Sequence, residues 1–180
     1  MNKFDQLNEA ESHILAAIQN VAFDAPGVVP AARGLSHFGE HALGWMGLSA
    51  LGTAVDKKRR RQWVAVGTSA FTAHAASVVL KRIVRRRRPD FDHVRVGVGT
   101  PSKLSFPSSH STSTTAFLVA LARLTKNPAP LLGVPVMMGS RMVLGVHYPT
   151  DTALGALLGG ITAEAISRYE EKTRKERKTA

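Results

Sequence analysis

Five apolar runs constrain this chain more than any other feature of its sequence. Charged residues are bunched between the runs instead of being spread along the chain; the runs are residues 42–55, 63–80, 113–124, 129–146 and 153–166. With their glycine, serine, threonine and histidine flanks, the runs reach roughly the 20 residues that an α-helix needs to cross a bilayer. The outer helices of a soluble bundle should carry a polar stripe, which these runs lack. The pattern therefore favours membrane-spanning helices over a soluble helical bundle.

The chain is short enough for one domain, so we predict a single all-α integral membrane bundle over residues 1–180 with about five transmembrane helices. Residues 8–21 add an amphipathic pattern, whose apolar face holds Ile14, Leu15, Ile18 and Val21. This pattern predicts a helix that lies on the bilayer or packs against the bundle. It belongs to an N-terminal segment, residues 1–34, and a basic tail closes the chain at residues 167–180.

The glycines of the run Gly155-Ala-Leu-Leu-Gly159-Gly160 predict a close contact between two helices. We favour a contact inside one bundle, although the same run would also suit an interface between protomers. A homo-oligomer therefore stays open.

Charge limits the partners of the chain. It holds 24 Lys and Arg against 13 Asp and Glu, a formal net charge of +11, which suits nucleic acid, an anionic membrane surface or an anionic substrate. The sequence contains no cysteine, which excludes disulfides, thiolate nucleophiles and cysteine-ligated metals.

The positive-inside rule predicts the orientation in the membrane. One side, the cytoplasmic side, would hold the basic residues at 57–61, Arg123, Lys126 and the tail. The long loop at residues 89–106 would then lie outside, in a multi-pass protein of the cell membrane.

The first of three polar groups ends the second apolar run. Lys81 and Arg88 are seven residues apart, so both project from one side of a helix that Pro89 stops. We expect these two residues to bind an anion. For the other cations of this cluster we favour an anchoring role at anionic lipid headgroups; they are Arg82, Arg85, Arg86 and Arg87.

The second polar group opens the third apolar helix. Pro107 suits a first helical turn, and the free amides there, with the hydroxyls of Ser108 and Ser109, can hold a phosphate. His110 beside them can carry a proton near neutral pH. Taken alone, this segment would be read as an ordinary helix cap with an incidental histidine.

The third polar group joins the last two helices. His147 and Asp151 are close enough in sequence for the carboxylate to hold the imidazole N–H, which leaves the other ring nitrogen free to attack. Arg141 can present its planar guanidinium to a phosphate. A structural His–Asp cap with a snorkelling arginine is an equal reading of this segment alone.

Together the three groups supply what phosphoryl transfer through a phosphohistidine requires. Two histidines can attack and protonate, and three cations with a helix N-terminus can neutralise the phosphate oxygens. Lys81, Arg88 and Arg141 supply the positive charge, and the carboxylates are too few and scattered for a two-metal site. We therefore expect neither a metal nor another cofactor.

These residues resemble the tripartite signature of the type 2 phosphatidic acid phosphatase superfamily. Its three motifs match Lys81-x6-Arg88-Pro89, Pro107-Ser-Ser-His110 and Ser140-Arg141-x5-His147-x3-Asp151. The resemblance implies that His147 is the nucleophile, Asp151 its orienting partner and His110 the general acid. It also implies a phosphate site whose members are Lys81, Arg88, Ser108, the Ser109 amide and Arg141. One departure is Ser109, which stands where the family usually has glycine.

The resemblance further implies a membrane lipid phosphate phosphatase, and the small chain is similar to actinobacterial members associated with polyprenyl-linked sugar phosphates. The lipid phosphate and membrane lipids are then the expected partners, and nucleic acid is not. Alternative substrates are a polyprenyl diphosphate, phosphatidic acid or phosphatidylglycerophosphate. A vanadate-dependent oxidase on the same scaffold is less favoured because those members are large and soluble. The alternative from another class is a non-enzymatic basic protein that binds anionic lipid or nucleic acid.

Overall fold

The computed structural model describes residues 3–179, and these residues are almost entirely helical. Within them run seven α-helices: α1 (Lys3–Ala22), α2 (Val28–Gly39), α3 (Leu43–Val55), α4 (Arg60–Val84), α5 (Ser109–Thr125), α6 (Gly133–Val143) and α7 (Pro149–Thr179). The described part contains no β-strand, and an isolated bridge pairs Arg87 with Leu104. The predicted all-α fold is confirmed, while residues 1, 2 and 180 of the predicted domain lie outside the described part.

Buried polar side chains lie at the centre of the bundle beside its apolar core, and many apolar side chains face outward. Helix α5 lies at its centre, against α4, α6 and α7, and the first half of α5 is buried yet polar at Ser111, Thr112, Ser113, Thr114 and Thr115. The outward faces of the surrounding helices carry exposed apolar side chains, among them Leu51, Phe71, Val136 and Leu157. Polar groups placed inward and apolar groups outward are the arrangement that a helix bundle adopts in lipid.

The lengths of the helices bear on how many of them cross a bilayer. Judged by length and composition within the described residues, one helix qualifies as a span, Lys57–Val84, which comprises α4 and the turn before it. Helices α3 and α6 have 13 and 11 residues. At 1.5 Å per residue, neither reaches the roughly 30 Å of a hydrocarbon core. The count of about five spans therefore stays a prediction.

The N-terminal amphipathic helix forms, but its predicted apolar face packs against the bundle only in part. Leu15 is buried as expected, whereas Ile14 and Val21 are 50% and 84% exposed. The packed face instead carries buried polar residues, Glu11, Ser12 and Gln19. Polar groups at a membrane need protein partners, and the Gln19 amide donates to the carbonyl oxygens of Arg95 and Val143 at 2.7 and 2.9 Å. Apolar residues of α1 thus lie on both sides of the helix: Ile14 and Val21 face outward, whereas Leu15 and Ile18 pack against the apolar core.

Helix α2 was not expected, because the sequence suggested a break at residues 25–30 and no helix between that break and residue 42. The break is shorter, and α2 begins at Val28 with Pro30 in its first turn, where a missing N–H costs nothing. The basic tail is likewise part of a helix, since α7 continues to Thr179.

The glycine run of α7 makes the close contact inside the chain that the sequence predicted. A Cβ atom added at Gly159 would lie 2.2 Å from the carbonyl oxygen of Thr112, and one at Gly155 would lie 2.9 Å from that of Ser108. The two helices therefore approach backbone to backbone. This approach brings the start of α5 beside the start of α7, where the Ser108 N–H donates to the carbonyl oxygen of Asp151 at 3.0 Å.

Candidate active site

Four helix ends meet around one cavity of about 620 Å³. These are the end of α4, the start of α5, the end of α6 and the start of α7, and the loop between α4 and α5 closes one side. Six of the eight site residues expected from the sequence line this cavity: Lys81, Arg88, Ser109, His110, Arg141 and His147. The other two, Ser108 and Asp151, are fully buried at helix starts near the cavity.

His147 lies in the turn before α7 and is 2% exposed. Its Nδ1 atom is 3.6 Å from Oδ2 of Asp151, one helical turn further on. Asp151 is fully buried, and its Oδ2 also accepts the backbone N–H of Tyr148 at 2.9 Å. The carboxylate is thus held in place by the backbone and faces the imidazole from the side away from the cavity.

Arg88 identifies which nitrogen of His147 carries the proton. Its Nη1 lies 3.1 Å from Nε2 of His147. Because a guanidinium can donate hydrogen bonds but not accept them, Nε2 must be the acceptor, and the ring proton must sit on Nδ1. Nδ1–H then faces Asp151, and the lone pair of Nε2 faces the cations of the cavity. This tautomer is the one that can attack phosphorus.

The phosphate-site cations are held by protein oxygens. Lys81 Nζ donates to the carbonyl oxygens of Leu104, Ser105 and Pro107 at 3.2, 3.0 and 2.9 Å. Arg88 donates to the carbonyl oxygens of Ser102 and Val146 at 2.8 and 2.6 Å. These carbonyls fix the ammonium and guanidinium groups against the loop between α4 and α5, so the positive charge is positioned before a substrate arrives.

Arg141 and His110 are both held by Ser36 on α2. Arg141 Nη1 donates to the Ser36 hydroxyl at 2.7 Å, and His110 Nε2 lies 2.8 Å from the Ser36 carbonyl oxygen. A carbonyl oxygen can only accept, so Nε2 of His110 carries a proton and Nδ1 is left for proton transfer. Gly39 gives the imidazole its space, because a Cβ there would lie 2.8 Å from His110 Cδ2. The unexpected helix α2 therefore positions two of the site residues.

The two serines of the second motif differ in what they can offer a phosphate. Ser108 is the N-cap of α5, where its Oγ accepts the N–H of Ser111 at 3.4 Å. Its own N–H is bound to Asp151, so both polar groups of Ser108 have protein partners. Ser109 lines the cavity, and its hydroxyl accepts a hydrogen bond from Ser77 at 2.8 Å.

The contact with Ser77 leads to a prediction for the residue that stands in the family's glycine position. Ser109→Gly is expected to keep kcat/KM within about threefold of wild type, because the change removes one neutral hydrogen bond worth about 1 kcal/mol and leaves the backbone N–H in place. Phosphate release by the purified variant measures this. A loss of more than a hundredfold would show that the hydroxyl itself contacts the reacting phosphate.

Arg86 corrects the sequence analysis, which assigned it to lipid anchoring with its neighbours. It is 6% exposed and points into the protein. Its Nη1 donates to Oδ1 of Asp151 at 2.9 Å and to Thr150 Oγ1 at 2.7 Å, and its Nη2 donates to Glu11 Oε2 at 2.5 Å. Asn8 accepts from Nε and Nη2 as well. The guanidinium is therefore a buried link between α1 and the carboxylate that faces His147.

Glu11 and Thr150 complete this link, and neither was expected from the sequence. Glu11 is 4% exposed and accepts the backbone N–H of Thr150 at 2.7 Å and the Thr150 hydroxyl at 2.9 Å. One signal pointed to Glu11: a carboxylate in a helix at a membrane faces protein rather than lipid. Applied to α1, that rule would have turned Glu11 and Gln19 inward.

Burial and positive charge together hold the pKa of His147 well below its ordinary value. Burial has the largest effect, followed by the charges of Arg88, Arg141 and Lys81. Imidazole can attack only when it is neutral, so a lowered pKa would keep a nucleophilic His147 active as the pH falls, until the pH drops through that lowered value. The pKa of Arg88 is itself lowered to about 10 by burial, so its charge persists at neutral pH.

Removing the charge of Arg88 should therefore change the pH profile. Arg88→Gln is expected to raise the pKa of His147, so the acid limb of kcat/KM moves to higher pH while kcat also falls. The profile is measured for both enzymes on one substrate, so the titration of the substrate itself cancels. Arg87→Gln, a change at the exposed neighbouring residue, serves as the control and should leave the limb unmoved. An unmoved limb in Arg88→Gln would contradict the electrostatic account of His147.

Known proteins resemble this chain over most of its length. The family model of the PAP2 superfamily matches residues 62–175. A decaprenylphosphoryl-5-phosphoribose phosphatase of Mycolicibacterium smegmatis is 57% identical over 145 residues, which cover 81% of each chain. The protein of the same name from Mycobacterium tuberculosis is 47% identical over 168 residues, covering 92% of this chain and 95% of its own length.

Two solved structures share the fold. A transmembrane PAP2-type phosphatidylglycerolphosphate phosphatase from Bacillus subtilis superposes with a TM-score of 0.72 at 24% identity, covering 96% of this chain and 88% of its own. LpxE of Aquifex aeolicus superposes with a TM-score of 0.70 at 19% identity, covering 87% and 94%. Both matches show that the chain shares its all-α fold with these two proteins.

Proposed function

Because the chain belongs to the PAP2 superfamily and is a membrane lipid phosphatase, we propose that it removes the terminal phosphate of a polyprenyl-linked phosphoribose through a phosphohistidine on His147. The substrate class comes from the two mycobacterial relatives, which align with more than four fifths of this chain. A substrate such as decaprenylphosphoryl-5-phosphoribose carries two phosphates, a monoester at the 5-position of the ribose and a diester that links the ribose to the lipid. The monoester is the group that a phosphatase releases.

The observation that carries the mechanism is the position of His147 between Arg88 and Asp151. Arg88 leaves Nε2 as the lone-pair nitrogen, and Asp151 faces the protonated Nδ1. Asp151 is then placed to stabilise the positive charge that the ring gains when Nε2 bonds to phosphorus. A histidine kept neutral, oriented and beside fixed cations is equipped for nucleophilic attack on a phosphate.

In the proposed reaction, Nε2 of His147 attacks phosphorus while the bond from phosphorus to the ribose oxygen breaks. His110, protonated on both ring nitrogens for this step, gives its Nδ1 proton to that oxygen and keeps its Nε2–H on the Ser36 carbonyl. Lys81, Arg88 and Arg141 neutralise the charge on the other three oxygens. Water then attacks the phosphohistidine, His110 takes a proton from it, and inorganic phosphate leaves. We also propose the amide N–H of Ser109 as a phosphate donor, because this residue lines the cavity at the start of α5.

We place the cavity at the extracytoplasmic face of a multi-pass protein in the cell membrane. The basic segment at residues 57–61 and the end of α5 lie at the opposite end of the bundle from the site. There Arg123 pairs with Glu164 and Glu171 of α7, which places the basic end of α7 on that same side. Six cations lie at residues 81–88, and by the positive-inside rule they would favour a cytoplasmic site. Three of them, Lys81, Arg86 and Arg88, instead bind acceptors within the protein, so fewer remain to favour that orientation.

The proposed function is tested by phosphate release from purified, detergent-solubilised protein in excess EDTA. Three substrates are compared: a polyprenyl phosphoribose phosphate, a polyprenyl diphosphate and phosphatidic acid. The phosphoribose lipid should give the highest kcat/KM, with activity unchanged by EDTA. A higher kcat/KM on one of the other two lipids would contradict the proposed substrate class. Loss of activity in EDTA would contradict the metal-independent mechanism.

A further inference from the structure

The cavity that holds His147 is much larger than one phosphate group needs. Its volume is about 620 Å³, and the six site residues form just part of its wall. Beyond them the wall is made by the turn after α2, by the exposed side of the end of α4, and by the loop at residues 98–102. Polar and charged side chains continue into this second part, so it is not simply an opening for a lipid chain.

Two arginines in this second part differ from the cations of the phosphate site. Arg82 and Arg85 line the cavity with exposed side chains, and neither guanidinium makes a hydrogen bond or ion pair with an acceptor among the described residues. Lys81 and Arg88, by contrast, donate hydrogen bonds from their side chains to backbone carbonyl oxygens. The guanidinium groups of Arg82 and Arg85 are therefore free to bind an anion, and a guanidinium suits a phosphate because it donates two parallel hydrogen bonds.

The turn after α2 contributes a carboxylate and an imidazole to the same part of the cavity. Glu40 and His41 both line it, and Glu40 is the one acidic residue of the described wall. His41 and Ala42 have φ angles of 50° and 60°, in the left-handed region that residues other than glycine seldom occupy. Strained backbone of this kind is characteristic of functional sites. A carboxylate would repel a phosphate but accepts hydrogen bonds from sugar hydroxyls.

Building on the proposed function, we infer that this part of the cavity is a subsite for the sugar and the bridging phosphodiester, with Arg82 and Arg85 on the phosphodiester and Glu40 and His41 on the ribose hydroxyls. The subsite would thereby make the enzyme select a ribose-linked lipid over lipids with a single phosphate. No covalent step is involved, because the subsite acts through binding alone.

The first test separates the two anion sites with the double change Arg82→Gln/Arg85→Gln. We expect kcat/KM on a polyprenyl phosphoribose phosphate to fall at least about thirtyfold, since two charge-assisted hydrogen bonds are lost. Inhibition by inorganic phosphate, which needs the His147 site alone, should stay within about threefold. Lys57→Gln/Lys58→Gln, an equal loss of charge at the other end of α4, is the control and should change neither quantity.

The second test concerns the ribose hydroxyls and uses an analogue in which a butanediol linker joins the same two phosphates. Glu40→Gln should lower kcat/KM about tenfold on the ribose substrate and leave the linker analogue unaffected, because the analogue has no hydroxyls to bind. The double arginine variant should lose activity on both compounds, because both keep the phosphodiester.

The outcomes separate the subsite from the proposed function. Wild-type enzyme that prefers the phosphoribose lipid and keeps its activity in EDTA upholds the proposed substrate class whatever these variants do. If the double arginine variant then keeps its kcat/KM, or loses phosphate inhibition to the same extent, the arginines are membrane anchors or act through general charge, and the subsite is overturned. If wild type fails on the phosphoribose lipid yet cleaves another lipid phosphate, both the substrate assignment and the subsite fail.

Discussion

Replacing His147 with alanine is expected to lower kcat by at least about ten-thousandfold, the scale of loss seen when a nucleophile is removed from an enzyme. The reason is specific to the position of Nε2. Nε2 carries the lone pair that faces the cavity cations, while Nδ1 of the same ring faces the Asp151 carboxylate. Among the described residues, no other side chain of the cavity has both features. Phosphate release by the purified variant, with the best wild-type substrate at saturation, measures the effect.

Two controls make this result interpretable. His13→Ala removes an exposed histidine on α1 outside the cavity, and its kcat should match wild type. The melting temperature of His147→Ala in detergent should stay close to wild type if the loss is chemical. Residual activity above about one hundredth of wild type in a folded variant would show that another group is the nucleophile.

Arg86→Ala is expected to have the largest effect on stability. The guanidinium is 6% exposed and pairs with Glu11 and Asp151, so its removal leaves two carboxylates buried without their cation. Breaking a buried ion pair in this way costs about 3–5 kcal/mol, which lowers the melting temperature by roughly 10 °C in a chain of this size. Activity should also fall by roughly tenfold or more, because Asp151 loses the donor on its Oδ1.

Arg87→Ala is the matched control, since Arg87 is the exposed neighbour, and its melting temperature should not change. The double change Glu11→Leu/Arg86→Leu provides a sharper check. It removes cation and carboxylate together, and apolar replacement of a buried pair is often neutral or stabilising. The double variant should therefore melt at a higher temperature than Arg86→Ala. Equal melting temperatures, or a wild-type value for Arg86→Ala itself, would rule out the role of a buried counterion.

The contrast between Arg86 and Arg88 shows what spacing along the sequence can predict. Arg88 was identified because it stands seven residues from Lys81, next to a proline, and both side chains meet in one cavity. Arg86 stands in a run of four arginines that gives no sign of which one turns inward. Its partner Glu11 is 75 residues away, so the pairing depends on how α1 packs. Contacts inside a motif were accessible from the sequence, and contacts between distant helices were not.

The N-terminal region shows a second limit. Apolar periodicity located α1 but did not show that Glu11, Ser12 and Gln19 pack inward beside Leu15, because at a membrane apolar side chains can face lipid while polar side chains pack on protein. The sequence pattern did not predict helix α2, because Pro30 lies in its first turn and the segment is neither long nor strongly apolar. Ser36, which holds Arg141 and His110, lies on that helix, so its contacts with these two residues could not be predicted from the motifs.

The phosphohistidine is the central claim, and trapping it tests that claim most directly. A phosphoribose lipid labelled with ³²P in the 5-phosphate is mixed with excess enzyme in EDTA and quenched in alkali within the first turnover. We predict label on the protein that survives alkali, is released by acid, maps to His147 by mass spectrometry and is absent from His147→Ala. Label on another residue, or turnover by wild type with no labelled protein at any quench time, would contradict the mechanism.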